Sequence, residues 1–283
     1  MIPGAFEYHR PKLLGDALQL LADHGDEARV IAGGHSLIPM MKLRMTQISH
    51  LVDLQDLADL KGITIGPRIR IGALTTQAEL INHAGLKQAA PILTEAALQI
   101  ADPQVRNCGT LGGNVANGDP GNDMPGLMQC LNATYTVTGP DGSRDIPARD
   151  FYDSAYFTAR GDDEILVSIS FDAPSGGYAY EKQKRKIGDY ATAAAAVLIT
   201  KVGGKVAAAS IAMTNLADTP IWSAGAGAAL LGTDCGPDAV AASVAAMKGD
   251  IHPGADNRGP VAFKMHVAGI VLGRAIARAW SRA

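Results

Sequence analysis

Hydrophobic and polar positions change period several times along the chain, and each change predicts an element. Leu14, Leu18 and Leu21 recur at helical spacing, and Gly25 after His24 supplies a stop. Arg29-Val30-Ile31-Ala32 reads as a short buried strand running into Gly33-Gly34-His35-Ser36, and residues 48–52 read as another. The opening segment is therefore βαβ-like. Isoleucines alternate through residues 62–72 around Gly66-Pro67, which predicts a hairpin. Thr76 and Glu79 form a capping-box pattern, and Pro91 stands where a helix over about 92–100 begins. A glycine-rich stretch leads into a helix at about 124–131. A strand at 135–138, the turn Pro140-Asp141-Gly142 and a strand at 164–171 follow.

The texture changes after Pro174-Ser175-Gly176-Gly177, which has linker composition. Strands are expected at 178–184, 191–200 and 206–214, then helices at about 223–231, 237–247 and 261–280. The pattern is α+β, with a larger unit over 1–175, subdivided near 53–60, and a smaller sheet-plus-helices unit over 176–283. No internal repeat is visible.

Composition narrows the class. The chain has 283 residues, 47% hydrophobic, and 25 Lys+Arg nearly balance 28 Asp+Glu. That excludes the basic footprint of a nucleic-acid binder and argues against disorder. Cys108, Cys130 and Cys235 are widely spaced, so a disulfide framework or an iron–sulfur cluster built by this chain alone is not expected. The seven histidines are scattered without H-E-x-x-H, and no metal site is expected. The N-terminus lacks signal-peptide character, and no apolar run is long enough to span a bilayer. A cytoplasmic globular protein is the expectation.

Glycine is in excess, 32 residues, and two segments concentrate its chemistry. The first is Ala32-Gly33-Gly34-His35-Ser36-Leu37; the second is Thr110-Leu111-Gly112-Gly113-Asn114. Glycine permits positive φ or close approach of a ligand, and successive N–H groups in such turns form an anion-binding nest. Ser36, Thr110 and Asn114 add side-chain donors. Both segments also fit ordinary tight turns. Neither carries the P-loop pattern, which excludes a Walker NTPase. Gly225-Ala226-Gly227 begins like a dinucleotide fingerprint, but Leu230 replaces its third glycine and it lies in an expected helix. The basic run around Lys182–Lys186 reads as a solvated strand edge. Asp119 and Asp123 fit either helix capping or a hydrogen bond to a ligand hydroxyl, and Cys108 reads as a small buried residue. His35 has no nearby partner for a triad, so no catalytic residue is assigned.

These two loops, together with residues 34–42, 117–125 and 180–196, resemble the flavoprotein subunits of molybdenum hydroxylases, the xanthine dehydrogenase and carbon monoxide dehydrogenase family. The resemblance covers the whole chain and is strongest to the aerobic carbon monoxide dehydrogenase branch. It implies a vanillyl-alcohol-oxidase-like FAD-binding domain followed by a carbon monoxide dehydrogenase flavoprotein-type C-terminal domain. It assigns both glycine loops to the FAD pyrophosphate and places Asp123, Leu166, Lys182 and Tyr190 at the cofactor, with Tyr190 beside the isoalloxazine ring. It further implies a molybdopterin-binding large subunit and a [2Fe–2S] small subunit as partners, in a dimer of heterotrimers. An external acceptor such as a quinone and an association with the inner membrane face complete that picture. The expected function is electron transfer during oxidation of carbon monoxide with water to carbon dioxide. A related aldehyde or N-heterocycle dehydrogenase and a stand-alone FAD oxidase are the alternatives. Valine at Gly33 or Gly112 is expected to abolish FAD binding while leaving a folded chain.

Overall fold

Alternation of apolar positions builds three main sheets, and the computed structural model describes them over residues 2–283. The first sheet is short and parallel. Its central strand His50–Asp53 lies between Glu7–His9 and Ala28–Ile31. The helix Leu14–His24 buries Ala17 and Leu21 against it. The expected βαβ unit is present: the helix Leu37–Lys42 connects Ala28–Ile31 to its parallel neighbour His50–Asp53.

The second sheet is five-stranded and antiparallel, in the order 63–64, 68–72, 165–172, 134–139, 142–147. The alternating isoleucines form the expected hairpin, with Ile63 opposite Ile71. Ile69 and Ile71 are fully buried, while Arg68 and Arg70, which alternate with them, face solvent. That is the period-2 pattern of a half-buried strand. Short helices pack on the apolar face. The first begins at a complete capping box: Thr76 accepts from the Glu79 N–H and Glu79 accepts from the Thr76 N–H. The helix expected over 92–100 is shorter, Pro91–Ala97.

The third sheet joins Gly177–Gln183, Ala193–Val202, Lys205–Thr214 and Ile221–Trp222 in chain order. Its alanine-rich strand is buried on both faces. Ala194 and Ala196 join the core under the second sheet, while Ala193, Ala195, Val197 and Ile199 join the core under the last helix, Val261–Arg282. Small side chains matter here because the fully buried helix Asp123–Cys130 lies close by. A Cβ on its Gly126 would stand 2.3 Å from Thr214 Oγ1. The glycine pair at 225–227 lies in the helix Ala224–Ala228 capped by Ser223, as its context predicted. Among the described residues, no helix is long and apolar enough to cross a membrane.

Candidate functional site

The first glycine loop leaves the sheet at Ile31 and turns at once into the helix Leu37–Lys42. Its two glycines have separate jobs. Gly34 adopts φ +73°, a region L-residues avoid. Gly33 has ordinary φ but no room: a Cβ there would lie 2.3 Å from the Cys108 carbonyl oxygen and 2.7 Å from Gly109 Cα. The Ile38 N–H already donates to the Gly34 carbonyl, and the Met40 N–H to Ser36. Among the described residues, the N–H groups of Gly33, Gly34, His35, Ser36 and Leu37 have no protein acceptor. The Ser36 hydroxyl makes no capping bond either. Consecutive donors of this kind, at a helix N-terminus, suit an anion.

The second loop is built differently. Thr110 caps the helix Leu111–Ala116, its hydroxyl accepting from the Gly113 N–H at 3.0 Å. The Leu111 and Gly112 N–H groups donate to the Thr75 and Ala73 carbonyls, each at 2.8 Å. Gly112 is glycine because a Cβ would meet Ala73 at 2.6–2.9 Å. The N–H groups of residues 111–114 are therefore spent within the protein, and among the described residues of this loop only that of Thr110 lacks an acceptor. Side-chain chemistry is also free. Asn114 accepts from the Met124 N–H through Oδ1, and its Nδ2 has no protein partner among the described residues. The neighbouring Asn117 amide is likewise unpartnered.

Between the loops opens a cavity of about 760 Å³, bounded by all three sheets' connections. That size lies inside the ~300–1,000 Å³ range of small-molecule pockets. Of the candidate residues, Ala32, Gly33, Gly34, His35, Ser36, Leu37, Thr110, Gly113, Asn114, Asp123, Lys182 and Tyr190 line it. Leu111, Gly112 and Leu166 do not. Leu111 and Leu166 point into the hydrophobic core, and Gly112 sits behind the wall against Ala73.

One side of the cavity carries a buried ionic cluster. Lys182 Nζ donates to Asp123 Oδ2 at 2.7 Å, and the Tyr180 hydroxyl donates to Asp123 Oδ1 at 2.5 Å. The Lys182 and Asp123 side chains are only 1% and 5% exposed. Burial pushes the Asp123 carboxyl upward, and Lys182 opposes that push. The solvated-edge reading of the basic run is thus wrong for Lys182. Its strand is a sheet edge, but its side chain turns inward to a carboxylate. Asp123 is no helix cap, because Asn122 holds that position and Asp123 serves the lysine. Asp119 instead accepts from the Gly121 N–H.

Tyr190 stands at the rim, its ring 3.0 Å from where a Gly121 Cβ would be. Arg258 lies over the same ring, 5.5 Å from its centre. Burial, then the Asp119 charge, push the Tyr190 hydroxyl upward. The rim also holds Tyr156 and Phe157, exposed by 57% and 68%. No sequence signal marked Tyr156, Phe157 or Arg258, since their proximity depends on chain segments far apart. Cys108, read as buried, is exposed: its carbonyl rather than its thiol packs on Gly33. Valine at Gly33 or Gly112 would also act on the fold itself. At Gly33 and Gly112 the added carbons would strike backbone, so a folded but flavin-free variant is not the expected outcome.

Comparison with known proteins gives this architecture its class. The sequence profile described as FAD binding domain in molybdopterin dehydrogenase matches residues 4–173, and that of the CO dehydrogenase flavoprotein C-terminal domain matches residues 178–279. The chain belongs to this family of FAD-binding oxidoreductase subunits, and FAD is its cofactor. Among particular relatives, the carbon monoxide dehydrogenase medium chain of Afipia carboxidovorans is 54% identical, covering 100% of this chain and 99% of that one. The structure of reconstituted CO dehydrogenase from Oligotropha carboxidovorans superposes with a TM-score of 0.98 at 53% identity, covering 100% of both chains. Quinoline 2-oxidoreductase from Pseudomonas putida 86 superposes with a TM-score of 0.95 at 31% identity, covering 99% of both.

Proposed function

We propose that this chain is the electron-transferring medium subunit of a molybdenum-containing carbon monoxide dehydrogenase. In this reading it takes electrons from a partner [2Fe–2S] subunit and passes them to an external acceptor. The observation that carries it is the full-length 54% identity to a carbon monoxide dehydrogenase medium chain. The free N–H groups of residues 33–37 beside a cavity of about 760 Å³ support the cofactor's part in it. Bound FAD supplies a redox carrier, which the protein positions and tunes.

The residues divide the binding task between them. The 33–37 N–H groups and the Ser36 hydroxyl hold the pyrophosphate. The Asn114 and Asn117 amides add donors from the facing loop, in place of the backbone of residues 111–112. The Asp123–Lys182 pair fixes one wall, and Tyr190, held against Gly121 and Arg258, covers the rim. We assign residues 1–175 to FAD binding and 176–283 to the C-terminal domain. The partners are a molybdopterin-binding large subunit and the [2Fe–2S] small subunit, in a dimer of heterotrimers. A quinone at the inner membrane face is the proposed acceptor.

A second reading, a subunit of an N-heterocycle or aldehyde dehydrogenase, is supported by the TM-score of 0.95 to quinoline 2-oxidoreductase. The two readings separate on the purified complex. Carbon monoxide added without oxygen is expected to bleach the flavin absorbance of the heterotrimer and leave the isolated subunit unchanged. Bleaching by an N-heterocycle or aldehyde, with carbon monoxide inert, overturns the first reading. Bleaching of the isolated subunit by a small organic substrate points to a stand-alone oxidase.

A further inference from the structure

The first sheet brings together side chains that the sequence keeps apart. Parallel pairing sets Glu7 beside His50, and His9 lies two residues along the same strand, on the same face as Glu7. His24 arrives as the last residue of the helix Leu14–His24. The result is a histidine cluster whose members do not line the cavity between the glycine loops. The His24 and His50 rings stack with centroids 3.6 Å apart, and His9 lies 5.3 Å from His50 and 5.6 Å from His24. His9 Nε2 and His50 Nδ1 are 3.1 Å apart. One ligand nitrogen from each of the three rings lies within 4.8 Å of the others. The Glu7 carboxylate stands 3.6 Å from His50 Nδ1 and 4.0 Å from His9 Nε2.

We propose that His9, His24, His50 and Glu7 form a binding site for a divalent transition-metal ion of the zinc class, separate from the cavity described above. Imidazole nitrogens with a single carboxylate are the ligands zinc takes in a tetrahedral site. Metal–nitrogen bonds of ~2.0–2.1 Å put tetrahedral ligand atoms ~3.4 Å apart. The His9–His50 pair is already within that spacing, while the parallel His24 and His50 rings must turn about their side-chain bonds for their nitrogens to converge on one ion. Glu7 is 73% exposed and free to swing onto the ion. A helix C-terminus also favours a cation at His24. The ion would clasp two strands and a helix of a sheet whose strands have only three or four residues.

The test uses the full chain, flavin bound and free of any purification tag, titrated with Zn²⁺ against a chromophoric chelator. One ion per chain is expected. His24→Gln and His50→Gln each remove a ligand and should weaken binding by at least about tenfold, the least that losing even an outer-shell partner costs. His252→Gln, outside the cluster, should leave it unchanged. Unaltered affinity in both cluster variants overturns the site. Because those variants could lose structure, X-ray absorption of the zinc-loaded unsubstituted chain gives an independent answer. Scattering from three imidazoles supports the proposal, and two or fewer overturn it.

Discussion

Lys182 and Asp123 are buried together in the cavity wall, so each depends on the other. Removing one partner of a buried pair costs about 3–5 kcal/mol, whereas replacing both is far milder. Lys182→Met is therefore expected to lose stability of that order in urea unfolding. Asp123→Asn with Lys182→Met should recover much of the loss. Asp189 makes a pH-dependent contribution in the loop between Gln183 and Ala193, beside Tyr190. The Arg185 guanidinium hydrogen bond, with help from Arg258, holds its carboxyl below its ordinary value of 3.8. A depressed carboxyl contributes stability that is fully present above that ordinary value and is lost as pH falls through the lowered one. Asp189→Asn should thus destabilise at neutral pH and flatten the acid limb of stability against pH. An acid limb unchanged from the parent chain contradicts the assignment. These side chains were only half legible in the sequence. The lysine run was visible, but Lys182 and Asp123 are separated by 59 positions, and only the fold shows which lysine turns inward.

At the scale of elements, local signals read correctly wherever the physics is local. The Thr76–Glu79 capping box and the isoleucine hairpin each rest on residues a few positions apart, and both are present. The second glycine loop misled because its decisive partners are non-local. Its Leu111 and Gly112 N–H groups are taken by carbonyls of residues 75 and 73 across a chain reversal. Thr110→Ala should cost about 0.5–2 kcal/mol, the loss of a helix cap, with Thr110→Ser retaining most of it. Gly112→Ala should cost about 1–3 kcal/mol through overpacking against Ala73. Denaturant midpoints check both. A Gly112→Ala chain of parental stability with emptied flavin would show that Gly112 touches cofactor after all. The histidine cluster was invisible for the same reason, since register between parallel strands sets Glu7 beside His50.

At the scale of the molecule, the cavity exists because Gly33 lets one loop rest on the backbone of residues 108–109. The family resemblance was legible from the paired glycine motifs, and full-length identity to medium chains agrees with it. How the two loops divide their labour was not legible, because hydrogen-bond satisfaction is a property of the folded chain. The unpartnered N–H groups of residues 33–37 are proposed to bind the cofactor's pyrophosphate. Competition against FAD on the deflavinated chain tests this most directly. ADP is expected to displace FAD and adenosine to compete at least about a hundredfold more weakly, which corresponds to ~2.7 kcal/mol carried by the phosphates. Equal competition by ADP and adenosine would contradict the assignment.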